Sequence, residues 1–394
     1  MKILVVCQYY HPEPFRIHEV CEELVSRGHE VTVLTGRPNY PMGVIPDEYK
    51  GKAHSDEVVG GVHILRVKER PRTPGKMGLA RNYVSFVWHG CAKALTMKKD
   101  FDVIFVYQLS PVLMAIPAYV AKWTSRTKNL AIYCLDLWPE SLTSMGISRT
   151  GTFFRMMRFV SRRIYKGASR IGVSSRMFSK YFAEELGIAA DGLVHIPQFA
   201  DDVFAGVSAS AGSDHDTIDY VFAGNVGKMQ SVETIIKAAA LTKDDRIRWH
   251  IVGDGFALDD CKKLAENTGV CDRVKFYGRL PVEEMPRFYG MADAMIVTLA
   301  DNDAISYTLP GKIQSYMAAG RPVLAAANGE TGTVIKESGC GLCAPAEDAA
   351  AFAALADTLA SSPDRARMGD NARSYYDRHF TKKNHIDLVE QLLT

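Results

Sequence analysis

Two glycine-rich segments that each carry a lysine, and one aspartate, hold the chemistry legible in this 394-residue chain. The first segment is AGNVGKMQSVE, 223–233, where an apolar run stops at Gly224 and a helical pattern starts near Ser231. Glycines such as Gly224 and Gly227, on either side of Asn225, let the main chain approach a ligand closely. Free N–H groups at such a turn favour phosphate, and Lys228 adds a full positive charge for a diphosphate. Alone the segment decides little, because glycine-rich strand-to-helix turns are common in α/β sheets. The second is SYTLPGKIQSYMAAGRPVLA, 306–325. Pro310 suits a first turn, so the pattern predicts a helix from near Thr308 to Ala319, stopped by Gly320. Lys312 in that first turn opposes the helix dipole. A neighbouring anion would resolve the conflict; a solvated lysine is the other reading. The aspartate is Asp136 in LDLWPES, 135–141. An acid at the end of a buried strand can orient or deprotonate a hydroxyl, or else Asp136 or Glu140 caps the helix that follows. His11 is read either as functional or as an ordinary hydrogen-bonded rim residue.

The elements that position these residues are apolar runs breaking into small or polar loops. In the first 200 residues they are KILVVC, EVTVLTG, FDVIFVY, NLAIYC, RIGVSS and VHIPQF. Continuous Val/Ile/Leu runs fit strands covered on both faces, hence a parallel sheet between helices. Ligands of such sheets sit at the carboxyl ends of the strands, where His11–Pro14, Gly36–Tyr40 and Asp136–Ser141 fall. Helices are predicted over 15–27, 81–98, 113–123 and 152–166. A second series follows: TIDYVFAG, IRWHIVGDG, RVKFYGRL, AMIVTLA, PVLAAANG and GCGLCA. The aperiodic stretch 206–216 reads as the linker. Residues 371–393 read as a helix pair broken near Phe380 and Thr381. The expectation is two α/β domains, 1–205 and 216–375, with the closing helix 381–394 packing back on the first.

Composition narrows the class. Apolar content of 47% and charged content of 23% are those of a globular protein. The opening MKILVVCQYYHPEP is too soon broken by polar residues for a secretion signal. Eight scattered cysteines read as reduced core thiols, and Cys340 with Cys343 as packing, not metal. The uncharged run 103–121 is interrupted by Gln108, Ser110, Pro111 and Pro117, which argues against a membrane span. The net charge of +2 hides an asymmetry: residues 1–200 hold 27 Lys/Arg against 17 Asp/Glu, the remainder 20 against 28.

The ordered series GNVGK at 224–228, IVGDG at 251–255, YGRLPVEEMPRFYGMADAMIV at 277–297 and KIQSYMAAGRPV at 312–323 closely resembles the nucleotide-sugar domain of family 4 glycosyltransferases. The N-terminal YYHPEPFR, GHEVTVLTGRPNYP and DLWPES resemble their bacterial O-antigen and capsule branch, particularly L-fucosamine transferases. The resemblance covers essentially the whole chain. It implies the GT-B fold, two facing Rossmann-like domains with parallel sheets and a cleft between them. It also implies retaining transfer from a UDP-sugar with no metal and no cofactor. By position, Gly224 to Lys228 and the backbone of Thr308 and Leu309 would hold the diphosphate, and Arg279 and Leu280 after Gly278 the base. Asp254 is read as structural. Two departures stand out. The family's paired glutamates fall on Tyr307 and Ser315, leaving Ser315 or Gln314 to hydrogen-bond the ribose. The usual arginine and lysine of the phosphate loop fall on Asn225 and Gln230, leaving the charge to Lys228 and Lys312. A catalytic histidine of relatives falls near Leu135, beside Asp136. Catalysis is thus assigned to Asp136 and Lys228, and the acceptor side to His11, Arg16, Arg37, Asn39, Tyr40 and Glu140.

Basic residues beside aromatic anchors mark a face of the first half: Arg70, Arg72, Lys76 and Arg81 precede Tyr83, Phe86 and Trp88. Further on, Arg155, Arg158, Arg162, Arg163 and Lys166 interleave with Phe153, Met156 and Phe159. This fits an interfacial helix on an anionic membrane surface, or an amphipathic core helix with a solvated face. Aromatics spaced for base stacking are not evident, so nucleic acid is not expected. The expectation is a peripheral enzyme on the cytoplasmic side of the membrane, transferring an N-acetylated deoxyhexose to a polyprenyl-diphosphate-linked acceptor. The alternatives are a silent sugar-nucleotide-binding subunit and a GT-B sugar-nucleotide epimerase.

Overall fold

The computed structural model describes residues 1–207 and 216–394; positions 208–215 of the linker expected over 206–216 lie outside the described residues. The chain divides into two compact units, Met1–Ile196 with Ile386–Thr394, and Pro197–His385.

The first unit is built on an eight-stranded sheet. In chain order its strands are β1 (Lys2–Val6), β2 (Glu30–Thr35), β3 (Asp56–Val59), β4 (Val62–Arg66), β5 (Val103–Gln108), β6 (Leu130–Cys134), β7 (Arg170–Val173) and β8 (Leu193–His195). Their spatial order is β3-β4-β2-β1-β5-β6-β7-β8. Every residue of β5 and β6 is buried, as continuous apolar runs require when helices cover both faces. The hairpin β3–β4 is the antiparallel exception. Its edge strand DEVV is largely exposed, so it carries no apolar run for the sequence to betray. The helix Ile17–Ser26 buries Ile17, Val20, Cys21 and Leu24, the stripe expected of a 3.6-residue period. The helix Lys76–Thr96 starts five residues earlier than its pattern predicts, directly after Gly75 at φ +90°.

The second unit has six strands, β9 (Ile218–Ala223), β10 (Ile247–Val252), β11 (Val274–Gly278), β12 (Ala294–Thr298), β13 (Val323–Ala326) and β14 (Gly341–Ala344). They lie in the order β11-β10-β9-β12-β13-β14, and all pairs are parallel. Separate cores fill its two faces, one around Trp249, Tyr220 and Phe352, the other around Tyr289, Tyr316 and Phe380. The closing helices are Arg365–His379 and Lys382–Leu393. The second ends in the first unit, where Arg27 Nη1 reaches Asp387 Oδ1 at 2.7 Å and His29 Nε2 reaches Glu390 Oε1 at 2.8 Å. No helix among the described residues is long and apolar enough to cross a membrane.

Candidate functional site

In the second unit the loops after β9, β10 and β11 are stacked main chain on main chain. Val226 N donates to Asp254 O at 2.9 Å, Ala257 N to Val226 O at 3.1 Å and Gly253 N to Gly278 O at 2.8 Å. The approach is so close that a Cβ on Gly253, which sits at φ +149°, would lie 1.8 Å from the Gly224 carbonyl oxygen. Glycine is required there for both reasons. Asp254 Oδ1 accepts from Gly255 N at 2.7 Å, so this acid shapes its own turn. Among the described residues the amides of Asn225 and Gly227 take no main-chain partner. Such N–H groups are completed by water or by a ligand. Lys228, exposed, opens the short turn Lys228–Gln230. Thr298 Oγ1 donating to Gln230 O at 2.6 Å ties that turn to the end of β12.

The helix predicted to open near Thr308 begins instead at Lys312 and ends at Ala318. A separate turn, Asp303–Ser306, precedes it. Thr308 N already donates to Ile305 O at 2.9 Å, and its hydroxyl to Ala304 O at 3.1 Å. The expected diphosphate contact through the Thr308 amide is therefore corrected; Leu309 keeps its amide. Gln314 is buried, and its amide group lies 3.1 Å from the carbonyls of both Pro310 and Gly311, acceptors that assign its NH₂ to that side. It thus fastens the turn in front of its helix, which corrects its reading as a ribose contact. Ser315 is buried too. Arg279 is exposed and Leu280 half-buried, directly after Gly278 at φ +69°.

Lys312 is the strongest feature of this rim. Its Nζ lies 3.7 Å from the centroid of the Phe222 ring, is closed off from solvent and has no hydrogen-bond partner among the described residues. It would stand 3.0 Å from a Cβ on Gly224. Burial lowers its pKa to about 7. The solvated-lysine reading therefore fails. An unpaired cationic group held under a glycine loop is costly unless an anion completes it.

The first unit's rim is a network of acids that the sequence did not single out. Glu13 Oε1 accepts from Asn39 N at 2.9 Å and Tyr40 N at 2.7 Å, and Oε2 from Tyr10 N at 3.1 Å. Burial raises the Glu13 pKa to about 7. Glu69 Oε1 accepts from Gln8 Nε2 and Asn82 Nδ2, both at 2.6 Å, and burial holds its carboxyl well above the usual range. A Cβ on Gly36 would lie 1.7 Å from Glu69 Oε2. The signals in the sequence were the strand-end position of 11–14 for Glu13 and, for Glu69, its place as the lone acid of the basic stretch 68–72.

Two acceptor-side expectations are corrected. Asn39 is buried, and its Oδ1 accepts from Arg72 N at 3.0 Å, so it joins two loops. Glu140 is buried and paired with Arg149 at 3.0 Å and Arg158 at 3.2 Å. Arg158 also meets Glu185 at 2.7 Å, which removes it from the basic face. Tyr40 packs on Phe15, with ring centroids 5.0 Å apart. Arg37 donates to Gly51 O at 2.9 Å, and Arg16 pairs with Glu19 at 3.3 Å. The His11 ring lies 5.8 Å from that of His18, and burial lowers its pKa.

Asp136 accepts a hydrogen bond from Ser110 Oγ, which lies 3.0 Å from Ser141 Oγ. Burial raises its pKa, while the Ser110, Leu137 and Ser141 donors pull it down. The turn that follows has Pro139 at its amino end and no side-chain cap, so neither Asp136 nor Glu140 acts as a cap. Asp136 lines a cavity of about 590 Å³ inside the first unit. Among the described residues no three His, Cys, Asp or Glu gather as metal ligands.

Comparison with known proteins agrees with this architecture. Residues 207–375 match the family model of glycosyl transferases group 1, and residues 15–198 that of the glycosyl transferase 4-like domain. WbjE of Pseudomonas aeruginosa, named a probable glycosyltransferase, is 28% identical over 261 residues, a match that spans 63% of each chain. WcaI of Escherichia coli K12, which carries the name of a colanic acid biosynthesis glycosyl transferase, is 23% identical over 407 residues, 98% of this chain and 97% of the relative. Among solved structures, sucrose-phosphate synthase from Thermosynechococcus elongatus superimposes with a TM-score of 0.77 at 17% identity, over 99% of this chain and 98% of that one. Anabaena HepE in complex with UDP gives 0.72 at 15%, over 100% and 99%. The fold is GT-B and the chain is a glycosyltransferase, its residues 15–198 similar to the glycosyl transferase 4-like domain and its residues 207–375 to glycosyl transferases group 1.

Proposed function

We propose that the enzyme moves a sugar, with retention, from a UDP-sugar to a lipid-linked saccharide in the assembly of a cell-surface polysaccharide. The observation that carries the reading is Lys312, a buried amine beneath Gly224 with no hydrogen-bond partner among the described residues. A nucleoside diphosphate supplies the missing counter-charge there, with the Asn225 and Gly227 amides and Lys228 around it. HepE, solved with UDP, and WcaI, named for colanic acid biosynthesis, support the donor and the pathway class.

In the transfer, the bond between sugar C1 and the diphosphate oxygen breaks. The acceptor oxygen forms its bond on the same face of the sugar. Dipoles and cations aimed at the phosphates stabilise the negative charge that develops as they leave, which Lys228, Lys312 and the loop amides do without a metal. Asp136, held by Ser110, orients the acceptor hydroxyl, whose proton passes to the carboxylate or to the departing phosphate. The basic half of the chain docks on the anionic inner face of the membrane, where such an acceptor resides.

A thermal-shift panel of UDP-, GDP- and dTDP-sugars tests the donor. At a hundredfold excess over its dissociation constant the true donor adds about 2.7 kcal/mol of stability, and EDTA leaves both binding and transfer unchanged. Asp136→Asn is expected to keep UDP binding and lose about 100-fold or more in transfer. A wild type that binds UDP but transfers nothing to any lipid-linked acceptor ends the reading.

A further inference from the structure

Away from Asp136, the walls of the cavity in the first unit are unlike a sugar site. They include Leu79, Val84, Leu113, Phe153 and Met157. Polar groups gather at one end, where Ser110, Asp136 and Ser141 hydrogen-bond one another. A saccharide ringed by hydroxyls would lose hydrogen bonds against such walls. Arg72, stacked on the Tyr40 ring, and the exposed Lys76 also line the cavity, so its lining suits an occupant that carries negative charge as well as apolar surface.

Two of the wall residues face outward as well. Val84 is 64% exposed and Phe153 50% exposed. They stand on the helices Lys76–Thr96 and Thr152–Gly167 beside other uncovered apolar side chains: Met77, Trp88, Met156 and Phe159. Large exposed apolar groups gathered this way mark a contact surface. Exposed Arg81, Arg155, Arg162 and Arg163 are interspersed on the same helices. The cavity therefore opens onto a surface that pairs grease with positive charge, and it carries the same pairing inward. Its size falls within the ~300–1,000 Å³ of small-molecule sites.

We propose that this cavity binds the prenyl-phosphate end of the acceptor lipid. The first isoprene units lie on Leu79, Val84, Leu113 and Phe153, the phosphates meet Arg72 and Lys76, and the rest of the chain leaves across the exposed apolar face. The ligand's identity rests on the transferase reading above; the site's chemistry, an apolar chain joined to phosphate, does not.

The test uses the full chain and farnesyl diphosphate, a short soluble prenyl diphosphate, titrated calorimetrically without detergent. Wild type is expected to bind it. Val84→Asp and Phe153→Asp, both at solvent-facing positions, and the pair Arg72→Gln with Lys76→Gln should each weaken binding tenfold or more. An unchanged UDP thermal shift shows that the variants are folded. Farnesol and inorganic diphosphate should each bind at least tenfold more weakly than the joined molecule. No binding by wild type, or equal affinity in all variants, overturns the proposal. So does displacement by inorganic diphosphate at matching concentration, which makes the site a simple anion site. Displacement by phosphatidylglycerol vesicles would assign the cavity to bulk lipid and overturn it too. Transfer to a lipid-linked acceptor without farnesyl diphosphate binding removes the cavity and leaves the transferase. Binding with the expected variant pattern in a protein that transfers nothing upholds the cavity and removes the transferase.

Discussion

Lys312 sets a pH signature for donor binding. Its buried amine has a pKa near 7 in the empty site, and a bound diphosphate must raise it. Below about pH 7 the amine is already charged, so binding takes up no proton and affinity is flat. Above pH 7, binding requires proton uptake, so UDP affinity should fall as pH rises. Stability of the empty enzyme should move the other way. The unfolded lysine titrates near ~10.4, so between about pH 7 and that value the unfolded state holds the extra proton, and folding gains with pH. Calorimetric titration of UDP from pH 6 to 9, with Lys312→Met as the comparison, checks this. A slope that persists in Lys312→Met would dissociate the effect from this side chain. Composition and pattern place Lys312 in a first turn, but they do not report the Phe222 ring beneath it or that its Nζ has no hydrogen-bond partner among the described residues. Glu140 failed for the mirror-image reason: its arginine partners lie nine and eighteen residues on, and only the fold brings them to it.

At the level of elements, the donor rim depends on loops with no room for a Cβ between them. Gly253→Ala adds an atom 1.8 Å from the Gly224 carbonyl oxygen, at a φ of +149°. The expected result is a loss of about 2 kcal/mol or more in urea unfolding, with UDP binding weakened beyond what the lost stability explains. Unchanged UDP affinity would show that the rim does not form the site. Strands of this kind are the most legible part of a sequence. β1, β5 and β6 are covered on both faces and read as unbroken apolar runs. The β3–β4 hairpin was not legible, because an exposed edge strand needs no such run. The Lys312–Ala318 helix was placed four residues too early, because Pro310 suits a first turn and nothing local reveals that the Thr308 amide is engaged behind it.

Over the whole molecule, charge is divided unevenly between the two parts of the chain, and in the first unit it surrounds exposed aromatic side chains. Near-surface cations contribute about 1 kcal/mol each on an anionic leaflet, and the Debye length of about 8 Å at physiological salt limits their reach. Sedimentation with phosphatidylglycerol vesicles should therefore weaken steeply between 50 and 500 mM salt, on the order of tenfold or more. Replacing Arg155, Arg162 and Arg163 by glutamine should cost on the order of 100-fold in vesicle affinity, with UDP binding intact. Salt-independent sedimentation, or none by wild type, would refute the docking. Arg158 is left out of the set because its pairs with Glu140 and Glu185 hold it inside the protein's own network.

The first unit is not contiguous in the chain. Residues 197–385 form the second unit, and only after them come Asp387 and Glu390, the acids that meet Arg27 and His29. A ribosome working at about 5–20 residues per second needs roughly 10–40 s to make the intervening stretch. For that interval the amino-terminal sheet waits with all its strands made but its unit's last helical segment still unsynthesised, while the carboxyl-terminal half is the first to have all its parts.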